Sequence, residues 1–272
     1  MKLYHYWASA ELTATDSKGK NLRLKKWAGS NDSLSAAKAD AERAVRAVRD
    51  QIGKFAPPRD GYSYSTRDVP EEIVRDLGPE NVFTRNAIGF LVLNTTQIFF
   101  ADIDLPRGPG FIARLFGASP QKPEIDAIAR LKRFLDTRPS LGARIYRTRA
   151  GLRYLFTHAP QAVNDETLGW LKELDSDALY TKLCKNQQCF RARLSPKPWR
   201  IDVERPNRYP RETPEAQSAF RDWLRDYESK SGQYAVCKYL EAAGAASIHR
   251  DLEKLIREHD TATRSDSDLP LA

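Results

Sequence analysis

Residues 98–104 read Ile-Phe-Phe-Ala-Asp-Ile-Asp, a β-like run that closes on two carboxylates spaced i, i+2. Side chains on a strand alternate faces, so Asp102 and Asp104 point the same way, with Cα atoms roughly 6.5–7 Å apart. Such a pair suits a hard divalent cation, Mg2+ or Mn2+, which neutralises and orients phosphate oxygens. Aspartate is a poor strand former, so placing two here carries a local cost. The same pair also fits a solvated strand end, because Pro106-Arg107-Gly108-Pro109-Gly110 signals a loop directly after it.

Chemistry on phosphate needs cations as well as carboxylates, and the chain carries a net charge of +8 that is unevenly spread. Arg138, Arg144, Arg147, Arg149 and Arg153 fall in a stretch without an acid, as do Lys182, Lys185, Arg191, Arg193, Lys197 and Arg200. Clustered base of this kind implies a polyanionic partner, nucleic acid or nucleotide. The alternative is that these side chains pair with acid-rich helices elsewhere in the chain. Arg149 and Arg153 flank the turn Ala150-Gly151, and Arg191 and Arg193 alternate with Phe190, Ala192 and Leu194, which gives the two arginines a common strand face. Lys197 and Arg200 follow in a loop stiffened by Pro196 and Pro198, a suitable cradle for a phosphate backbone. Trp199, Tyr146 and Tyr154 have the side chains to stack on bases, although core packing is the commoner role of an aromatic.

The elements that position these residues follow from periodicity and turn chemistry. Residues 3–13 and 21–27 form a hairpin across Asp16-Ser17-Lys18-Gly19. Leu34, Ala41, Val45, Val48 and Ile52 mark a helix with Ser33 as N-cap and Gly53 as its stop, before a break at Pro57-Pro58-Arg59-Asp60-Gly61. Pro70-Glu71-Glu72 opens a short helix to Leu77-Gly78. Residues 87–93 and 97–104 form a second hairpin through Asn94-Thr95-Thr96, buried on both faces. After the Gly/Pro-rich stretch 106–123, a helix spans about 122–137, strands cover 144–149 and 152–158, helices cover 165–174 and 176–187, and a strand covers 189–194. Thr213-Pro214-Glu215 starts another helix, and two further helices follow at about 232–243 and 247–259. The expected fold is therefore α+β, a mostly antiparallel central sheet flanked by helices with a C-terminal helical appendage. Its division is a body over 1–212, the appendage over 213–260 and a disordered, polar tail over 261–272. The appendage helices offer a docking face for a protein partner.

In their order along the chain, the Asp102/Asp104 strand end, the turn 146–153 and the basic strand 190–200 resemble the motifs of the archaeo-eukaryotic primase (primase-polymerase) superfamily. The match covers about 60 of the 272 residues. The resemblance implies a metal-dependent nucleotidyltransferase with Asp102 and Asp104 as catalytic metal ligands and a third acid on a later strand, for which Asp202 is the candidate. Independently of the resemblance, the clustered base gives a phosphate-binding wall of Arg149, Arg153, Arg191, Arg193, Lys197 and Arg200. Arg153 stands where the family has a histidine, and Asp202 lies beyond two prolines that disfavour a central strand. Both departures are those of a divergent or inactive member. A non-catalytic nucleic-acid-binding or adaptor protein using the same basic face is the alternative.

Other chemistries find little support. Cys184, Cys189 and Cys237 include no Cys-x-x-Cys pair, which argues against a disulfide framework and a zinc ribbon. His249 and His259 are too far apart for a helical metal pair. No apolar run approaches the roughly 20 residues that span a bilayer, and the first seven residues lack a secretory core, so a cytoplasmic protein without membrane contact is expected.

Overall fold

A computed structural model describes residues 1–16, 19–52, 70–106 and 122–272. The hairpin of β1 (Tyr6–Thr15) and β2 (Asn21–Ser30) is antiparallel, and α1 (Leu34–Gln51) packs against it through Ala37, Ala41 and Val45. Their small side chains let the helix approach closely. Ser33 caps α1 by accepting from Ala36 N–H at 3.1 Å, as its position before the apolar run indicates. The turn residues Ser17 and Lys18, the stop at Gly53, the break at Pro57–Gly61 and the loop from Arg107 to residue 121 lie outside the described residues.

Two four-stranded antiparallel sheets form the body. The first has the order β3-β4-β5-β9, from β3 (Glu72–Asp76), β4 (Asn81–Arg85), β5 (Leu91–Thr95) and β9 (Phe190–Arg193). The second has the order β10-β7-β8-β6, from β10 (Cys237–Gly244), β7 (Gly142–Thr148), β8 (Gly151–Phe156) and β6 (Phe100–Asp104). The helices are α2 (Lys122–Asp136), α3 (Asp165–Glu173), α4 (Ala178–Gln187), α5 (Pro214–Ser231) and α6 (Arg250–Thr263). Leu131, Phe134 and Leu135 of α2, Trp170 and Leu171 of α3, and Leu252, Leu255 and Ile256 of α6 join Phe99, Ile145 and Phe156 in one core. The apolar stripe of α6 is thus used by the chain's own core. The α+β class with antiparallel sheets and a C-terminal helix is as expected.

Four expectations are corrected. Residues 72–76 are a strand: Glu72 pairs with Arg85 and Ile73 with Thr84, and neighbouring Glu71 is drawn into the interior by Arg191 and Thr84. Strands β5 and β6 do not form a hairpin. Leu91–Thr95 instead pairs with β4 across the turn at Asn86–Gly89, and the chain then crosses into the other sheet. Residues 237–244 are strand β10, which extends the second sheet along β7, with a register shift between Tyr239 and Glu241 that breaks the two-residue alternation. The C-terminal part therefore adds a strand to the body. Residues 264–272 pack back onto the body: Ala235 N–H donates to Pro270 O at 3.0 Å, Ala272 N–H donates to Ala235 O at 3.0 Å, and Ala272 is fully buried. Backbone pairing supplies the order that this polar stretch lacks in side chains. Among the described residues no helix is long and apolar enough to cross a membrane.

Candidate phosphate-binding site

Strand β6 is the outer strand of one sheet and β9 the outer strand of the other, and a cavity of about 520 Å3 opens between them. Asp102 and Asp104 line it from β6, Arg153 from β8, Arg191 and Arg193 from β9, and Lys197 and Arg200 from the loop beyond. Residues separated by about 100 positions thus meet because two antiparallel sheets present their edges to one another. Helix α4 closes the base: Asp177 N–H and Ser176 Oγ–H both donate to Asp102 O, at 3.0 and 2.9 Å.

The two carboxylates are not equivalent. Asp102 accepts from Arg153 on both oxygens, Nε to Oδ1 at 2.9 Å and Nη2 to Oδ2 at 3.4 Å, and the Arg153 side chain is only 2% exposed. Burial alone would lower the basicity of Arg153, but the Asp102 charge outweighs it and holds the guanidinium ionised. Among the described residues Asp104 has no such partner. Burial, reinforced by Asp177 and Asp102, pushes its carboxyl up, while Lys197 and Arg200 pull it back.

Arg153 extends inward into a polar chain. Its Nη1 donates to Arg193 O at 3.0 Å and lies 3.4 Å from Nε2 of His259, which is fully buried. A guanidinium has only donors, so His259 accepts at Nε2 and carries its proton on Nδ1, facing Asp260 Oδ1 at 2.9 Å. Asp260 also accepts from Tyr146 O–H at 2.7 Å and Arg144 Nη2 at 3.0 Å. Burial keeps His259 below the ordinary histidine range.

The basic segments divide in two. Arg138 pairs with Glu173, Arg144 with Asp260, Arg147 with Glu124, and Arg191 with Glu71 in a buried pair at 2.7 and 2.9 Å. Arg193 donates to the Ser195 and Ala272 oxygens, and its affinity for a proton falls to about 10 through burial and its neighbours Arg153 and Arg200. Lys197, Arg200 and Arg205, all on the cavity lining, form no carboxylate ion pair among the described residues. Burial lowers Lys197, and so do Arg193 and Arg200. Arg149 stands outside the lining and exposed; burial lowers Arg200, and Arg149 adds to that effect.

Asp202 is not brought to the cavity. It is exposed, with φ +52°, just after the 3-10 turn Pro198–Arg200. Tyr146 and Tyr154 are buried in the core and cannot present a face to a base. Two further acids are on the lining: Glu71, held by Arg191, and Asp177, whose Oδ1 caps α4 by accepting from Tyr180 N–H at 2.6 Å. The signal for Asp177 in the sequence was an aspartate directly before a helical run. Glu71 and His259 had no such signal, because their roles arise from partners more than 100 residues away.

Among the described residues no group of three or more His, Cys, Asp or Glu side chains is arranged to hold a metal ion. No family model matches the chain, and no curated protein or solved structure matches it.

Proposed function

We propose that this chain acts on nucleotide or nucleic-acid phosphates in the cavity between the sheets, with Mg2+ or Mn2+ at Asp104 and Asp102. The observation that carries the reading is that Lys197 and Arg200, cations without a carboxylate partner among the described residues, line the same cavity as Asp104. Magnesium is commonly held by one or two carboxylates together with substrate phosphates rather than by an all-protein cage. The residues fit that mode, since Asp104 is a carboxylate whose ionisation is disfavoured by burial and by two other acids, and a cation beside it favours that ionisation. Bound there, the metal supplies charge neutralisation and alignment of phosphate oxygens for in-line displacement. Lys197 and Arg200 bind the remaining oxygens, and Arg153 fixes the Asp102 carboxylate. The primase-polymerase resemblance is compatible with nucleotidyl transfer at this site.

A second reading, a non-catalytic nucleic-acid binder, is favoured by the engagement of both Asp102 oxygens with Arg153, which leaves Asp104 the one carboxylate of the pair free for metal. One experiment separates the two. Millimolar Mn2+ with a nucleoside triphosphate should raise the melting temperature, since a ligand bound by the native state alone stabilises it. Asp104→Asn should abolish that rise, and an unchanged rise would place the metal elsewhere. Metal-dependent turnover of the triphosphate marks an enzyme, and binding without turnover marks a binder.

A further inference from the structure

Trp199 lies at the centre of the 3-10 turn Pro198–Arg200, with its side chain turned outward and the residue 46% exposed. The turn is rigid. Pro198 and Ile201 are buried beneath it, Ile201 N–H and Val203 N–H both donate to Pro198 O at 3.0 and 3.1 Å, and Tyr227 O–H donates to Pro196 O at 2.6 Å. A single exposed aromatic is ordinary on a protein surface. This one has cations over its ring: Lys197 Nζ lies 5.6 Å from the centroid and the Arg205 guanidinium 5.1 Å. Both of those residues, and Arg200, also line the cavity that holds Asp104.

We propose that Trp199, Lys197, Arg200 and Arg205 form a stacking platform for single-stranded nucleic acid at the mouth of the cavity. An unpaired base lies on the indole, taking a ring face in place of a cation, while the adjoining phosphates meet the displaced side chain and the other cations. A planar ring in contact with cations suits single strands without sequence preference, because every base has a π face and every linkage a charge. A paired base within a duplex does not offer that face. The proposal rests on the reading that the cavity takes nucleotide phosphates, and it identifies the partner there as a strand rather than a free nucleotide alone.

The test is fluorescence anisotropy of a short labelled oligothymidylate with the full chain. Trp199→Ala should weaken binding about tenfold or more, and Trp199→Phe, which keeps a π face, should retain most of the affinity. The slope of log K against log salt should stay as in the unaltered protein, because no phosphate contact is lost. Equal affinity of the alanine variant and the unaltered protein overturns the platform, as does a phenylalanine variant that falls as far as the alanine one. If the oligonucleotide result fails while the Asp104-dependent thermal shift with Mn2+ and a nucleoside triphosphate persists, the platform alone is wrong. If the unaltered protein binds neither ligand, the cavity reading fails and the platform falls with it.

Discussion

Asp102 and Asp104 look alike in the sequence but have opposite consequences when neutralised. Asp102 compensates a guanidinium that is 2% exposed, so Asp102→Asn leaves a buried charge unpaired and should cost about 3 kcal/mol. Asp104→Asn removes a carboxylate whose ionisation burial, Asp177 and Asp102 disfavour, and should leave stability unchanged or raise it at neutral pH. The sign follows from its folded value lying above the ordinary one: the native state holds this proton more tightly, so ionisation subtracts from stability above that value and the advantage of the variant fades in acid. Urea unfolding of both variants at pH 7 checks the contrast, and equal losses would contradict it.

His259 gives the residue scale its pH dependence. Its folded value lies below the ordinary 6.5, chiefly through burial, so the unfolded chain takes up the proton first as pH falls. Stability should therefore be lost as pH drops from about 6.5 through the folded value, by at most about 1.4 kcal/mol per pH unit. His158 is depressed as well, by burial and His249, and must be separated from it. His158→Asn should keep the part of the slope that His259→Asn removes. Unfolding free energies from pH 7.5 to 5 decide this, and an undiminished slope in His259→Asn would show that the imidazole is not held neutral.

At the scale of elements, the site depends on how closely β6 and β8 pair. Gly151 stands opposite Asp104, and a Cβ there would run into the backbone carbonyl of Ile103. Neither atom can move without breaking the ladder. Gly151→Ala should destabilise by about 1–3 kcal/mol through overpacking, and if folded it should displace Asp104 and weaken the Mn2+-dependent thermal shift. A variant as stable and as metal-responsive as the unaltered chain would show that the strand end tolerates movement. Strand β10 illustrates the same dependence on backbone pairing, since it is held by β7 through a ladder that its broken alternation does not announce.

For the whole molecule, tertiary pairing decides which of the many cations remain for a polyanion. Arg147 is bound to Glu124, whereas Lys197 and Arg200 face the cavity without an acid partner among the described residues. In salt titrations with single-stranded nucleic acid, Lys197→Ala and Arg200→Ala should each flatten the slope of log K against log salt by about 0.7. Arg147→Ala should leave it unchanged. A slope that responds equally to all three would mean that net charge, rather than this cavity, attracts the ligand.

Much of the local structure is legible in short stretches of residues. The Asp16–Gly19 turn chemistry set the opening hairpin, Ser33 and Thr213-Pro214 set two helix starts, and the spacing of Asp102 and Asp104 put both on one cavity wall. These signals lie within a few residues of what they specify, so periodicity and capping suffice to show them. Only the tertiary structure decided that β5 and β6 belong to different sheets, that 237–244 is a strand, and that Asp202 stays outside while Asp177 lines the cavity. It also decided that Arg153 is fixed by Asp102 and Arg191 by Glu71, leaving Lys197 and Arg200 without a carboxylate partner among the described residues. The physical reason is that backbone ladders and ion pairs join groups by proximity across 50 to 120 positions, and a charge shows neither its partner nor its burial until the chain has closed around it.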